Sequence, residues 1–190
     1  NYMVYVFLGI ACIFYSISDR LNTTARFGIE ASVFSILSQL STVFMILMGL
    51  FFFKEPFVLR KIIGAALIIF SNIFIFYKKG KTNFNKYVLL GILANISIAL
   101  AFFIDVNISD NFNLSFYVAF TLMIPALFIF IFEKLKFSNI KNEFINGNKK
   151  AILITSLSWG LFIIFCLKAY QLGEVTSVAP LCALTVIANV

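Results

Sequence analysis

The sequence predicts an all-α integral-membrane protein, a polytopic helical bundle. Three observations lead there. Hydrophobic residues make up 62% of the 190 and charged ones 12%, where a soluble domain carries roughly 25% charged residues. The mean hydropathy is +1.01, and a soluble fold of this size has too little interior to hide that much apolar surface. The apolar residues also come in long runs, and a helix needs roughly 20 of them to cross a hydrocarbon core about 30 Å thick. Helices are expected rather than a barrel, because barrel strands would alternate over about 10 residues.

The first span is expected over Tyr2–Ser18, followed by the polar break Ser18–Arg26. The second, Phe27–Phe53, ends at Lys54-Glu55-Pro56, because proline removes a donor and restricts the residue before it. The third, Leu59–Tyr77, runs into the basic break Lys78–Lys86, and the fourth, Tyr87–Val106, into Asn107–Asn113. The fifth, Leu114–Phe132, contains Thr121 and Pro125, which predict a kink with the Thr121 hydroxyl bonding the carbonyl that proline frees. In the polar stretch Glu133–Lys150, Leu135, Phe137, Ile140, Phe144 and Ile145 suit either a short interfacial helix or a plain loop. The sixth span is Ala151–Tyr170. Gln171–Thr176 leads into a seventh, from Ser177, which the end of the sequence cuts short. With Asn1 in first place and no visible signal peptide, the chain reads as an excerpt of a longer protein.

The net charge of +7 comes from basic residues beside the spans, where they set orientation and meet anionic lipid. No basic soluble module is left to carry nucleic acid, so the expected partners are the bilayer and a small-molecule solute. The breaks after spans one, three and five carry Arg20, Arg26, Lys78, Lys79, Lys81, Lys86, Lys134, Lys136, Lys141, Lys149 and Lys150; those after two and four carry Lys54, Arg60 and Lys61. On the positive-inside rule the first set faces the cytoplasm.

The sequence has no His, which removes His-dependent nucleophiles and His-ligated metals. Cys12, Cys166 and Cys182 lie in apolar runs without metal-site spacing and read as small buried hydrophobes. No catalytic residue, metal or cofactor is expected, and the chain does not read as an enzyme.

Polar side chains inside a span turn towards other helices or a cavity. Ser35, Ser38, Gln39 and Thr42 are spaced to share one helical face. The serines and Thr42 suit interhelix packing or a substrate path. Gln39, with four hydrogen-bonding sites to satisfy, and Asn95, at mid-span, are the sharper candidates for a path. Ser71 and Asn72 read as interhelix contacts. In the sixth span Ser156 and Trp159 either pack or line the path, Trp159 as a stacking wall for an organic substrate. Lys168 either snorkels to the span end or forms an anion site. Glu30 lies about one turn inside span two, while Glu55, Asp105, Glu133 and Glu174 lie at span ends. With no carboxylate at a span centre, no deep proton relay is expected.

Two stretches resemble the drug/metabolite transporter superfamily, EamA type. In Ser35–Phe76 an apolar helix ends in Glu55, and after a short turn Ile63, Gly64, Ala65, Leu67 and Ile68 occupy the places of the family's next helix opening. Gly64 and Ala65 permit close backbone approach there, and Glu55 is expected to be structural. Ala169–Val190 resembles the equivalent entry in the family's second half: Leu37–Ser41 and Leu181–Thr185 share a pattern 144 residues apart.

The resemblance implies part of a ten-helix fold of two five-helix repeats, here the third to ninth helices. Residues 1–77 would end the first repeat, 78–86 form a basic connecting loop, and 87–190 begin a truncated second repeat. It further implies a secondary transporter, in a bacterial cytoplasmic (inner) membrane, moving an amino acid, another metabolite or a drug by alternating access, with a proton or ion as possible coupling partner. The path would run between the halves, with Gln39, Asn95, Trp159 and Asn189 near it. A translocase for lipid-linked sugars or polyprenyl carriers would share this fold. A non-transporting scaffold or assembly factor would instead turn Ser35, Gln39 and Asn95 into helix contacts. Family precedent places both termini in the cytoplasm, opposite to the orientation that the charge count gives.

Overall fold

Hydroxyl side chains that bond back to their own helix let the first span outrun its expected end. In α1 (Tyr2–Arg26), Ser16, Thr23 and Thr24 donate to the carbonyls of Cys12, Asp19 and Arg20 at 2.7, 2.8 and 2.9 Å. The polar run Ser18–Arg26 is therefore helix rather than a break. The chain turns only at Phe27–Glu30, where a Cβ on Gly28 would stand 2.0 Å from the Tyr87 ring.

The computed structural model describes residues 2–56, 58–64, 66–67, 70 and 85–183, and among them there is no strand. After α1 come α2 (Ala31–Leu37), α3 (Leu40–Phe51), a helical segment at 59–64, α4 (Lys86–Ile108), a 3-10 turn at Ser109–Asn111, α5 (Leu114–Phe132), α6 (Phe137–Asn146), α7 (Lys149–Leu172) and α8 (Val175–Ala183). The second span is thus two helices, not one. Most of the third span, with Ala65, Ile68, Ser71 and Asn72, the basic break up to residue 84, and Asn189 lie outside the described residues.

Asparagine starts three of the helices. Asn85 accepts from the N–H groups of Tyr87 and Val88, Asn113 from those of Ser115 and Phe116, and Asn148 from that of Ala151. Each takes up amides that the first turn leaves unpaired. In α5, Pro125 sits inside the helix. The Thr121 hydroxyl donates to the Val118 carbonyl at 3.1 Å, not to the carbonyl that Pro125 frees, because its short side chain reaches back into the preceding turn. The stretch left open between a helix and a loop is in part a helix, α6, exposed along its whole length.

α4 is the element the others pack around: it meets α1, α2, α3 and α7, and Tyr117 of α5 bonds it at Asp105. Its most extensive contact is with α1, and small residues explain it. Ala11, Ser18 and Ala25 recur every seventh residue on α1 and are fully buried, as are Ala94, Ala99 and Ala101 on α4. Small side chains let two backbones approach closely, which drives helix association where lipid offers no hydrophobic contrast. Across this seam the Ser18 hydroxyl donates to the Ala94 carbonyl at 3.0 Å. On its other side α4 contributes Ala99 to a cluster with Met45, Ile46, Tyr170, Val175, Val178 and Ala179. Further along, Ile108 joins Tyr117, Val118, Ile163 and Leu167.

The helices bring Arg20, Arg26, Lys86 and Lys149 to one end, while Lys61 and Lys168 stand at the other. Arg26 lies over the Phe34 ring at 4.7 Å, Asn85 donates to the Gly28 carbonyl, and Arg20 pairs with Glu133 at 2.8 Å. At the opposite end Tyr5 meets Phe112 edge-on, and Gln171 bonds Ser109. Because Ala94 has no free space around it in the α1–α4 seam, Ala94→Leu should force the helices apart. The expected cost is about 1–3 kcal/mol, read as a lower thermal midpoint of the purified protein in detergent, with Leu93→Ala on the exposed side of α4 close to neutral.

Candidate functional site

Serines account for the break in the second span. At the end of α2 the Ser38 hydroxyl donates to the Ser35 carbonyl at 2.6 Å, and the Ser41 hydroxyl donates to the Ser38 carbonyl at 2.8 Å. Local side-chain bonds of this kind give the backbone an alternative to the helix ladder. The ladder loosens accordingly: Ser41 N–H reaches the Ser38 carbonyl at 3.4 Å, and Val43 N–H reaches Gln39 at 3.3 Å. Gln39 stands at the start of α3 with helical dihedrals and makes no capping bond. It is half-buried, as are Ser35 and Thr42. Among the described residues the Gln39 amide has no side-chain partner. The break is local: the backbone keeps helical dihedrals at Gln39, and Val33–Phe51 still runs as one apolar stretch.

A second polar centre lies where α1, α4 and α5 meet. Asp105 is 0% exposed. Its Oδ2 accepts from the Tyr15 hydroxyl at 2.5 Å and its Oδ1 from the Tyr117 hydroxyl at 2.5 Å. Helical side chains lean towards their own N-terminus. α1 and α4 are antiparallel, so Tyr15 and Asp105 lean towards each other and close the distance between them. One turn beyond Asp105, the buried Ser109 hydroxyl accepts from Gln171 Nε2 at 3.0 Å, and Gln171 Oε1 accepts from Lys168 Nζ at 3.2 Å. Sequence order had placed Asp105 among span-end carboxylates. The signal available was Asp105 and Tyr117 flanking one short break, but the partner on α1 is 90 positions away.

A third centre clamps α8. α3 ends with Lys54 at φ 52, a left-handed residue of the kind that closes helices, and the Glu55 N–H turns back to the Gly49 carbonyl at 3.2 Å. That turn aims the Glu55 carboxylate at the first amides of α8: Oε1 accepts from Val175 N–H at 2.6 Å and Oε2 from Thr176 N–H at 2.8 Å. A carboxylate there satisfies two unpaired donors and meets the positive end of the helix dipole. Gly49 is needed for it, since a Cβ would sit 2.8 Å from the Thr176 methyl and 3.2 Å from Glu55 Oε2. Lys61 bonds Glu174 and, at 2.7 Å, the Thr176 hydroxyl.

The path residues expected from sequence are only partly gathered. Gln39, Ser35 and Thr42 are together at the break. Asn95 is buried, but its Nδ2 donates to the Gly91 carbonyl of its own helix at 2.7 Å. Ser156 is exposed and bonds the Ile152 carbonyl, and Trp159 is 55% exposed, stacked on Phe162. Lys168 is exposed beside Gln171. These three lie on the outer side of α7, away from the break. Gly64 has nothing within 4 Å of where a Cβ would be, so no close approach occurs at it among the described residues. The described clefts lie elsewhere. One of about 390 Å³ runs between α1 and α5 past Ile13, Ile17, Phe128 and Phe132 to Arg20 and Glu133. Another of about 440 Å³ lies between Met3, Phe7, Phe103 and Asn107.

Five stretches among the described residues are long and apolar enough to cross a membrane: Tyr2–Arg26, Val33–Phe51, Lys86–Asn111, Leu114–Phe132 and Lys149–Leu172. By length and composition they mark the chain as a helical membrane protein. Comparison with protein families, with curated proteins and with solved structures finds no match. The likeness to EamA-type transporters therefore rests on the residues of the chain itself.

The clamp on α8 gives a test. Glu55→Gln keeps the shape but leaves one acceptor oxygen for two amides and removes the charge. It should cost about 2 kcal/mol, seen as a lower thermal midpoint and reduced membrane abundance. A variant as stable as the parent would show that the clamp contributes nothing.

Proposed function

We propose that the chain is the membrane core of a secondary transporter that moves a small organic solute, such as an amino acid or another metabolite, by alternating access and without covalent chemistry. The observation that carries this reading is the broken second span, with Gln39 half-buried at the break and, among the described residues, no side-chain partner for its amide. Discontinuous spans are the usual place for a transporter's solute site. The likeness of Ser35–Phe76 and Ala169–Val190 to EamA-type members of the drug/metabolite superfamily supports it. So does the clamp between Glu55 and α8, which ties the first proposed repeat to the second and gives the two halves a joint about which to rock. On the charge rule the end carrying Arg20, Arg26, Lys134 and Lys136 is cytoplasmic, and a bacterial cytoplasmic membrane is the setting this reading implies.

The cleft between α1 and α5 favours a second reading. It is apolar along Ile13, Ile17, Phe128 and Phe132 and ends at the Arg20–Glu133 pair. That arrangement suits a lipid-linked sugar or polyprenyl carrier, with its tail in the cleft and its headgroup at the charged rim.

The test is uptake of a labelled amino-acid and metabolite panel by proteoliposomes of the full chain, with and without an imposed pH gradient. Saturable uptake of one compound is expected. Gln39→Ala should lower it roughly tenfold, the worth of about one hydrogen bond, with membrane abundance unchanged. Asn95→Ala, whose amide serves its own helix, is expected to lower abundance first. Uptake unaffected by Gln39→Ala would remove the break as the solute site, and movement of a labelled polyprenyl phosphate alone would favour the lipid-carrier reading.

A further inference from the structure

The carboxylate of Asp105 combines full burial with hydrogen bonds from two other helices. It is fully buried within the span Lys86–Asn111, and among the described residues no Lys or Arg pairs with it. Its two oxygens are held by two neutral phenols, Tyr15 from α1 and Tyr117 from α5. Cys12 of α1 is also near it, and Asp110 stands exposed in the turn that follows α4. α2 and α3 contain no charged residue. On α7, Tyr170 packs on Phe102, and Lys168 is directed to Gln171. An ionised carboxylate without a cation is expensive inside a membrane, whereas two hydrogen bonds from phenols favour the ionised form. Opposed effects of this kind leave a carboxyl group able to exist in either form. The chain Ser109–Gln171–Lys168 then supplies polar groups from one turn beyond Asp105 to the exposed end of α7.

We propose that Asp105 is a proton-binding site, alternating between a carboxylate held by Tyr15 and Tyr117 and a carboxylic acid. Its proton is taken up and released at the end of the bundle near Gln171, and this exchange couples proton movement to the solute cycle. In the acid form Asp105 has one hydroxyl to donate and one fewer acceptor site for the phenols, so the contact joining α1, α4 and α5 must rearrange with each protonation. A local charge change acting on a contact between helices is how a proton can bias a conformational equilibrium. The coupling half of this proposal rests on the transporter reading above; the proton-binding half does not.

The experiment therefore has two arms. In the first, infrared difference spectra of the full chain in phosphatidylethanolamine–phosphatidylglycerol vesicles are recorded across a pH titration. The expected result is a protonated-carboxyl band that titrates in the parent, is lost in Asp105→Asn and returns in Asp105→Glu. A band unchanged in Asp105→Asn, or no titrating band in the parent, overturns the proposal. Should Asp105→Asn not fold, Tyr15→Phe and Tyr117→Phe take its place, and a titration midpoint the same as the parent's in both overturns it equally. In the second arm a pH-sensitive dye inside the vesicles reports proton flux on addition of each compound of the labelled panel. Solute-dependent flux in the parent, abolished by Asp105→Asn and regained in Asp105→Glu, supports the coupling. Flux unchanged in Asp105→Asn overturns it. A titrating Asp105 with no solute movement in the parent leaves the proton site standing and removes the transporter reading.

Discussion

A polar group inside a bilayer has no water to turn to, and the irregular features of this bundle sit where a neighbouring group takes water's place. The second span breaks where Ser38 and Ser41 bond the carbonyls of the loosened turn. α8 begins at the level where Glu55 receives its first two amides. α4 can hold a carboxylate because two phenols reach it from two other helices. The apolar residues give the chain a membrane to live in, but the pairing of its few polar groups decides where helices stop, which ones touch, and what each junction can do.

The α1–α4 seam is the frame for these junctions. Alanine, serine and glycine at regular spacing bring the two backbones close, and the rest of the bundle is arranged around α4. That closeness lets Tyr15 reach Asp105 across the seam. The same antiparallel arrangement puts the Arg20–Glu133 pair at one end and Asp105, Glu55 and the Lys61–Glu174 pair nearer the other.

Pattern reading served well where a residue's partner is near in sequence. Among the described residues the first, fourth, fifth and sixth spans begin where long apolar runs place them, and Pro56 and Asn113 mark real boundaries. It served poorly where hydroxyls follow one another. Ser18–Arg26 looked like a break because it is polar, yet its hydroxyls bond within the helix. Ser35–Thr42 looked like one face of a continuous helix, yet its serines help to open it. Serine and threonine do either, and the choice depends on what packs alongside. Asp105 reads as a span-end carboxylate in the sequence, and only the packing of α1 and α5 shows that it is buried.

The sequence by itself determined the solvent and the all-helical class, because each follows from local quantities: the length of an apolar run and the period of a helix. The tertiary structure alone decided which polar groups meet. Tyr15 and Asp105 are 90 residues apart, and Glu55 and Val175 are 120 apart. Neither pair lies within one helix, so no helical period joins them. They meet because close backbone packing between small residues fixes the height and rotation of each helix against the next, and a shift of one turn would separate every one of these contacts.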